Sequence, residues 1–464
     1  MINISDPGHL PVLALFGLVV FVVFPLIVLS SNEAKPIAYL QSKLGLDAIW
    51  APVLLIGAAL WAIVFGLLVV GLLSVIWEIF QGVHWKSTDS DMSNSGRFAL
   101  VRLTAITATT GAVIAFPLTL IKVKLTRDAN DTTVQGQITD RINKAVEGLG
   151  AEKTVKRQRH DQDGNPTYEK DAKGSSDYSK PVLVETSEPN LEVRIGSIFA
   201  LERIARENLN FHIQVMEILC AYVRLNAPRS GKQPTAEFDK QPTMRNDILT
   251  ALRVIGRRTA NGKAIEVARR HRLDLRVCDL SGADFSDGDY SGAMFHSCLI
   301  EFARFRGGLF HGTEFNESVI TFAAFEDGDF TGSQFCGVQI TEPNRHSFFN
   351  RFQSAKVTGV NFAGANISGV RNFGGVEKLS QTFGTSDTTL HSLFGWDKEL
   401  QSKLDDLHHS EASQDAASIQ RLPAEKGLEQ WSCFPRGDGA HDDHYNALMI
   451  QLDLCDFPFH GRRK

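Results

Sequence analysis

The sequence predicts N-terminal transmembrane α-helices, an α-helical leader and then a four-sided β-solenoid. Three observations carry that prediction. Long runs free of charge open the chain. Short amphipathic stretches follow in series. From Leu275 a bulky apolar residue recurs at every fifth position, a spacing that suits neither a helix (period 3.6) nor a strand (period 2).

The membrane segments come first. From His9 to Ser31, and again from Ala48 to Trp77, there is no Lys, Arg, Asp or Glu. Each run exceeds the roughly 20 residues needed to cross a bilayer. Spans are expected at about 11–30 and 50–77. Trp50 and Trp77 stand at the ends of the second, where interfacial aromatics are favoured. A cleaved signal peptide is not expected, because no Lys or Arg precedes Pro11. A third run, 103–121, is uncharged but rich in threonine; it spans, lies re-entrant or follows the interface. Lys122, Lys124 and Arg127 come next, which places the following chain on the cytoplasmic side. Residues 1–127 therefore form the membrane region, with lipid around its helices.

Residues 128–152 read as one amphipathic helix, with Ile138, Ile142, Ala145, Val146 and Leu149 on one face. The stretch 153–190 is polar and is a linker or a loose hairpin around Asp163-Gly164-Asn165-Pro166. Three short amphipathic helices are expected in 191–271, a leader that covers the start of the solenoid.

The five-residue spacing then runs for fourteen repeats. Sorting positions twenty apart gives nearly pure columns: Phe285, Phe305, Phe325; Tyr290, Phe310, Phe330; Phe295, Phe315, Phe335; and Leu280, Ile300, Ile320, Ile340. Two residues before each stands a mostly small residue, such as Ala283, Gly288 or Cys298. Like residues stack when a chain coils and returns to the same place, so one coil is twenty residues with four five-residue sides. Successive coils should rise by the strand spacing of ~4.8 Å. The pattern slips near Pro343 and resumes with Phe352, Val357, Phe362 and Ile367.

The units CDLSG, ADFSD, NFAGA and NISGV resemble the A(D/N)LxX unit of the pentapeptide-repeat family. The resemblance implies a right-handed, quadrilateral β-solenoid over 272–373, with a tail, 374–464, that is partly ordered at most. GQITDRINKAVEGLGAEKT and LEVRIGSIFALERIARE are similar to a bacterial membrane-anchored subgroup of that family, which implies the inner membrane as location.

Phe302 and Phe322 lie three residues before a core position, where other repeats carry Gly, Ser, Asp or Glu. Twenty residues apart, they should stack on one outer face, either as a contact surface for a protein partner or as packing under the tail or leader. Cys278 and Cys298 occupy one inner column and are expected to stay reduced in the cytoplasm. His441, Asp442, Asp443, His444 and Cys455 have donor atoms that suit zinc but no recognised spacing, so a solvated tail is expected there. No phosphate loop or nucleophile elbow appears in a credible context, so neither a cofactor, a metal nor a catalytic residue is expected.

The expected function is a non-catalytic membrane-tethered scaffold or signalling adaptor, presenting a solenoid face to an unidentified protein partner. A membrane sensor of a lipid or small molecule is the alternative. DNA-mimicking members of the family act on topoisomerase through acidic solenoids. Here twelve Asp/Glu stand against seven Lys/Arg over 273–373, a small excess, so no nucleic-acid role is expected. The fold class is compatible with self-association through solenoid ends or faces.

Overall fold

In the computed structural model the described residues are 51–80, 90–231, 241–341, 351–370, 373–391, 431–435 and 439–454, with isolated positions between 391 and 431. The expected span at 11–30 lies outside them. The chain divides into two compact units, Met1–Gln137 and Ile138–Lys464.

In the first unit, α1 (Ala51–Phe80) and the start of α2 (Ser90–Leu149) are long and apolar enough to cross a membrane, with mean hydropathies of 2.7 and 1.7. The Trp61 indole nitrogen donates to the Val113 carbonyl at 3.0 Å, joining the two helices. The separate segments expected at 103–121 and 128–152 are one continuous helix that ends at Leu149. Pro117 lies inside it, and no further proline interrupts the chain before Leu149. Threonine hydroxyls at 107, 110 and 119 donate to carbonyls one turn back, which satisfies them within the helix itself.

The second unit opens on the last turns of α2. Ile138, Ile142, Ala145 and Leu149 are buried, whereas Val146 is exposed. Gly148 lies so close to Ser197 that an added Cβ would stand 2.1 Å from its hydroxyl, so glycine sets this helix approach.

Of the two readings of 153–190, the hairpin is the one formed. Strand β1 (Glu152–Gln158) pairs antiparallel with β4 (Leu183–Pro189), and β2 (Tyr168–Lys170) with β3 (Ser176–Pro181). The Asp161 carboxylate accepts from the amides of Asp163 and Asn165, which fixes the expected turn. A second turn, built the same way on Asp171, was not expected.

Four helices follow: α3 (Leu191–Glu207), α4 (His212–Asn226), α5 (Asn246–Gly256) and α6 (Ala260–Ala268). Asn190 caps α3 by accepting from Val193, and Thr259 caps α6 by accepting from Gly262. Ile198, Leu201, Val215, Leu219, Leu252 and Ile255 are buried in the same core as the solenoid residues. The amide of Asp279 donates to Ala227 and that of Asp289 to Gly256, each at 2.8 Å. Both donors belong to the first coil, so these helices supply acceptors to its starting edge.

The solenoid is a parallel ladder. Strands β5 (Leu299–Glu301), β6 (Val319–Thr321) and β7 (Gln339–Ile340) pair in register twenty residues apart. Isolated bridges mark the other sides, as in Asp284↔Arg304, Asp289↔Leu309 and Met294↔Glu314. Each of the predicted core residues from Leu280 to Ile340, with Phe362 and Ile367, is at most 2 % exposed. The phenylalanine columns stack face to face: Phe285–Phe305 at 5.2 Å, Phe310–Phe330 at 4.9 Å and Phe315–Phe335 at 4.7 Å between ring centroids. The slip near Pro343 is an insertion, because the step from Ala324 to its partner Arg351 is 27 residues.

The ladder does not stop near 373. Asn361 bridges Phe383 and Asn366 bridges Thr389; after the short helix α7 (Val376–Leu379), β8 (Phe383–Thr385) pairs parallel with β9 (Ser432–Phe434). The expected boundary was short because these steps of 22 and 23 residues break the five-residue period. Trp431 is fully buried and donates its indole N–H to Thr382 at 3.3 Å.

Candidate interaction surface

Several repeats are built by local chemistry. The Asp or Asn before the central residue turns its side chain back to accept an amide two residues on. Asp284 takes the N–H of Ser286, Asp289 that of Ser291, and Asn361 that of Ala363. The second residue after the centre turns the corner with positive φ, which is why Gly282, Gly292, Gly312 and Gly332 stand there. Polar residues in the small inner column hydrogen-bond the coil below: Thr313 to Tyr290, Ser318 to Phe295 and Ser333 to Phe310, at 2.6–3.0 Å.

Phe302 and Phe322 occupy two of these corners, at φ 53° and 52°. Left-handed backbone costs a non-glycine residue about 1–2 kcal/mol. Their rings do stack, 4.7 Å apart and 21° from parallel. They do not form an exposed pair: Phe322 is 1 % exposed and Phe302 is half-buried. The same side is closed around them, with Leu299 and Glu301 each 3 % exposed. Burial of large apolar rings is worth more than the corner strain, so the pair is packed rather than presented as an exposed aromatic surface.

The next side round is open. Ser286, Arg304, Arg306, Ala324, Glu326, Asp327 and Ser354 line a shallow cavity of about 550 Å³ on it. Arg304 and Arg306 are exposed, and Arg306 reaches Asp327 at 3.5 Å. Sequence reasoning missed this surface because its residues are ordinary outward polar positions. Only the small Ala324 in a column of charged residues signals the depression.

The remaining polar clusters serve the fold. Glu314, 7 % exposed, pairs with Arg272 at 2.6 Å and with His296. Asp329 meets His311 at 3.2 Å and Lys356 at 3.0 Å. Burial opposes ionisation of Asp329, but hydrogen bonds from His311, Thr331 and Lys356 outweigh it and hold the carboxyl far below its usual range. In the helices, Arg258 bonds Glu266 at 2.9 Å and His212 bonds it at 2.8 Å, all three buried.

Cys278 and Cys298 are free, buried thiols. The neighbouring Cys298 and burial both push the Cys278 thiol up, and the Cys298 thiol donates to Leu275 at 3.2 Å. Among the described residues no three His, Cys, Asp or Glu side chains gather as a metal site, and Cys455 lies outside them.

The solvated tail expected around His441–His444 is instead helix α8 (Ala440–Gln451). Tyr445, Met449 and Leu454 are buried. The Tyr445 hydroxyl donates to Gly332 at 2.9 Å, and Met449 and Leu454 lie over that glycine corner, with Leu452 over Gly359. The amphipathic signal in this stretch is weak, which hid it. Its docking depends on bare glycine corners that no local pattern reveals.

No protein-family profile matches the chain, and no curated protein matches it. The solved structures it is similar to are pentapeptide repeat proteins. One, from the Arabidopsis thaliana thylakoid lumen, is 24% identical over 24% of this chain and 58% of its own, with a TM-score of 0.14. QnrB1, a plasmid-mediated fluoroquinolone resistance protein, is 17% identical over 29% of this chain and 68% of its own, with a TM-score of 0.14. HetL from a Nostoc cyanobacterium, involved in heterocyst differentiation regulation, is 10% identical over 25% of this chain and 53% of its own, with a TM-score of 0.09. The chain thus spans little more than half the length of the first of these.

Proposed function

We propose that this protein is a non-catalytic scaffold or adaptor, tethered to a bacterial inner membrane by its apolar helices, with the solenoid in the cytoplasm. Lys122, Lys124 and Arg127 after the apolar part of α2 support that orientation. The solenoid is read as right-handed and four-sided, with helices α3–α6 shielding its first edge and β9 with Trp431 its last. The twenty-residue register supports four sides, and the hydrogen bonds from Asp279 and Asp289 support the shielding.

One observation carries the scaffold reading. The Phe302/Phe322 side is buried, and α8 covers the Gly332/Gly359 corner, while the side bearing Arg304, Arg306 and Glu326 stays accessible. A rigid, exposed, charged side on a stacked core suits a protein partner better than a substrate. The test is in-cell photo-crosslinking from position 306, with position 322 as the buried control. A recurrent protein adduct at 306 alone supports the scaffold and identifies the partner. Adducts at neither position, or equally at both, would remove this side as the partner surface.

A further inference from the structure

The open side that bears Arg304 and Arg306 is complementary to itself. Its outward residues stand in two columns. Parallel bridges join Asp284, Arg304, Ala324 and Arg351 in the first. Two residues on, the same register stacks Ser286, Arg306, Glu326 and Gln353. Successive rungs of each column stand ~4.8 Å apart. Arg304 and Ala324 from one column, and Arg306 and Glu326 from the other, line the same depression of about 550 Å³.

The charges of this side are incompletely used. The side chains of Arg304 and Glu326 make no hydrogen bond or ion pair among the described residues. Arg304 is exposed and Glu326 half-buried. Arg306, 75% exposed, holds Asp327 at 3.5 Å, the kind of exposed pair that contributes little. Unpaired opposite charges flank a depression whose middle rung is only an alanine. They fit a surface that carries the same features inverted.

A two-fold axis laid along the strands, between the Arg304 and Ala324 rungs, supplies that inversion. It sets Arg304 over Ala324 of the partner subunit, and Arg306 against Glu326 of the partner subunit. In the outer rungs it sets Asp284 against Arg351 of the partner subunit, and Ser286 against Gln353 of the partner subunit. Every contact occurs twice, as an isologous interface requires. The Arg304 guanidinium, above a residue with nothing beyond Cβ, also has room to reach toward the partner's Glu326. A two-fold axis along the solenoid instead would press Arg304 against the partner's Arg306, which like charge forbids.

We propose that this side binds a second copy of the chain, the two solenoids lying side by side and antiparallel. The pairing rests on this side being the partner surface, and it names the partner. Four rungs make a small interface, so it is weak between free copies. Confinement of both copies to one membrane would raise their effective concentration.

The test uses the full chain in detergent micelles, followed by light scattering over a concentration series up to about 0.1 mM. The parent should show a monomer–dimer equilibrium that about 0.5 M NaCl shifts toward monomer. Arg306→Glu and Glu326→Arg should each weaken the dimer roughly tenfold or more, because each turns both symmetric ion pairs into like-charge contacts. Combined in one chain, they should restore it to within about threefold of the parent. Mixed together, the two single variants should form a heterodimer where neither pairs with itself. A monomeric parent, or a dimer indifferent to both reversals, would overturn the proposal. Photo-crosslinking from position 306 separates that failure from failure of the scaffold reading. An adduct to a different protein alone removes the self-pairing but keeps this side as a partner surface, whereas no adduct removes both.

Discussion

The Tyr290 hydroxyl donates to the Leu252 carbonyl at 2.9 Å, pinning the second aromatic column of the solenoid to helix α5. Gly256 makes room for that ring, since a Cβ there would stand 2.6 Å from the Tyr290 oxygen. Gly256→Ala should therefore destabilise the second unit by roughly 1–3 kcal/mol. Tyr290→Phe alone should cost about 1 kcal/mol for the lost hydrogen bond. Combined, the two should cost less than their sum, because removing the oxygen relieves part of the clash. Urea denaturation of the three variants and the parent, followed by circular dichroism, measures that coupling; strict additivity would mean that the glycine is not there for the ring.

The corner phenylalanines make opposite contributions through ring and backbone. Alanine keeps the left-handed strain and removes only the ring. Phe322→Ala should cost about 3–5 kcal/mol, as for a fully buried phenylalanine, and Phe302→Ala clearly less. Phe302→Gly should be milder than Phe302→Ala by about 1 kcal/mol, because glycine relieves the corner. Equal losses at 302 and 322 would contradict their unequal burial.

The thiols give a labelling prediction. Cys220, Cys278, Cys298 and Cys433 are buried, and desolvation or a neighbouring thiol pushes up the pKa of Cys220, Cys278 and Cys433. Iodoacetamide at pH 8 should leave all four unmodified in the folded chain and label them on unfolding. Mass-spectrometric mapping with and without urea checks this, and rapid native labelling of Cys278 or Cys298 would mean that the first coils open readily.

Helix α8 should loosen in acid. His444 lies between the rings of Phe383 and Phe434, at 4.9 and 4.8 Å, and burial lowers its pKa from 6.5. The undocked helix then binds a proton more readily than the docked one. Docking is at full strength above pH 6.5 and weakens as the pH falls below that value toward the lower docked-state pKa. Hydrogen exchange over 440–451 should be faster at pH 5 than at pH 7.5 after correction for intrinsic rates. His444→Phe should remove most of the difference.

The five-residue column from Leu280 to Ile340 declared the core because each position meets its like one coil on, so register and burial are written in one repeat. That legibility failed where the step changed. Trp431 belongs to the same core, and Phe383 to a smaller cluster with Tyr445, Met449 and Leu454, but steps of 22 residues or more give no period to read. Phe302 and Phe322 were expected to stack and do, but the spacing that pairs them carries no sign that Phe322 is buried.

The bond from Tyr445 back to Gly332 spans 113 residues and closes the end of the ladder like a strap through a buckle. An open-ended coil peels one turn at a time, each turn released by the loss of the one above it. Here the terminal turns are trapped inside the loop that Tyr445 and Met449 fasten. Unravelling from that end must first pull the strap free, which turns gradual fraying into a single threshold event. Under mechanical load such a rod would hold its full height until that fastening yields.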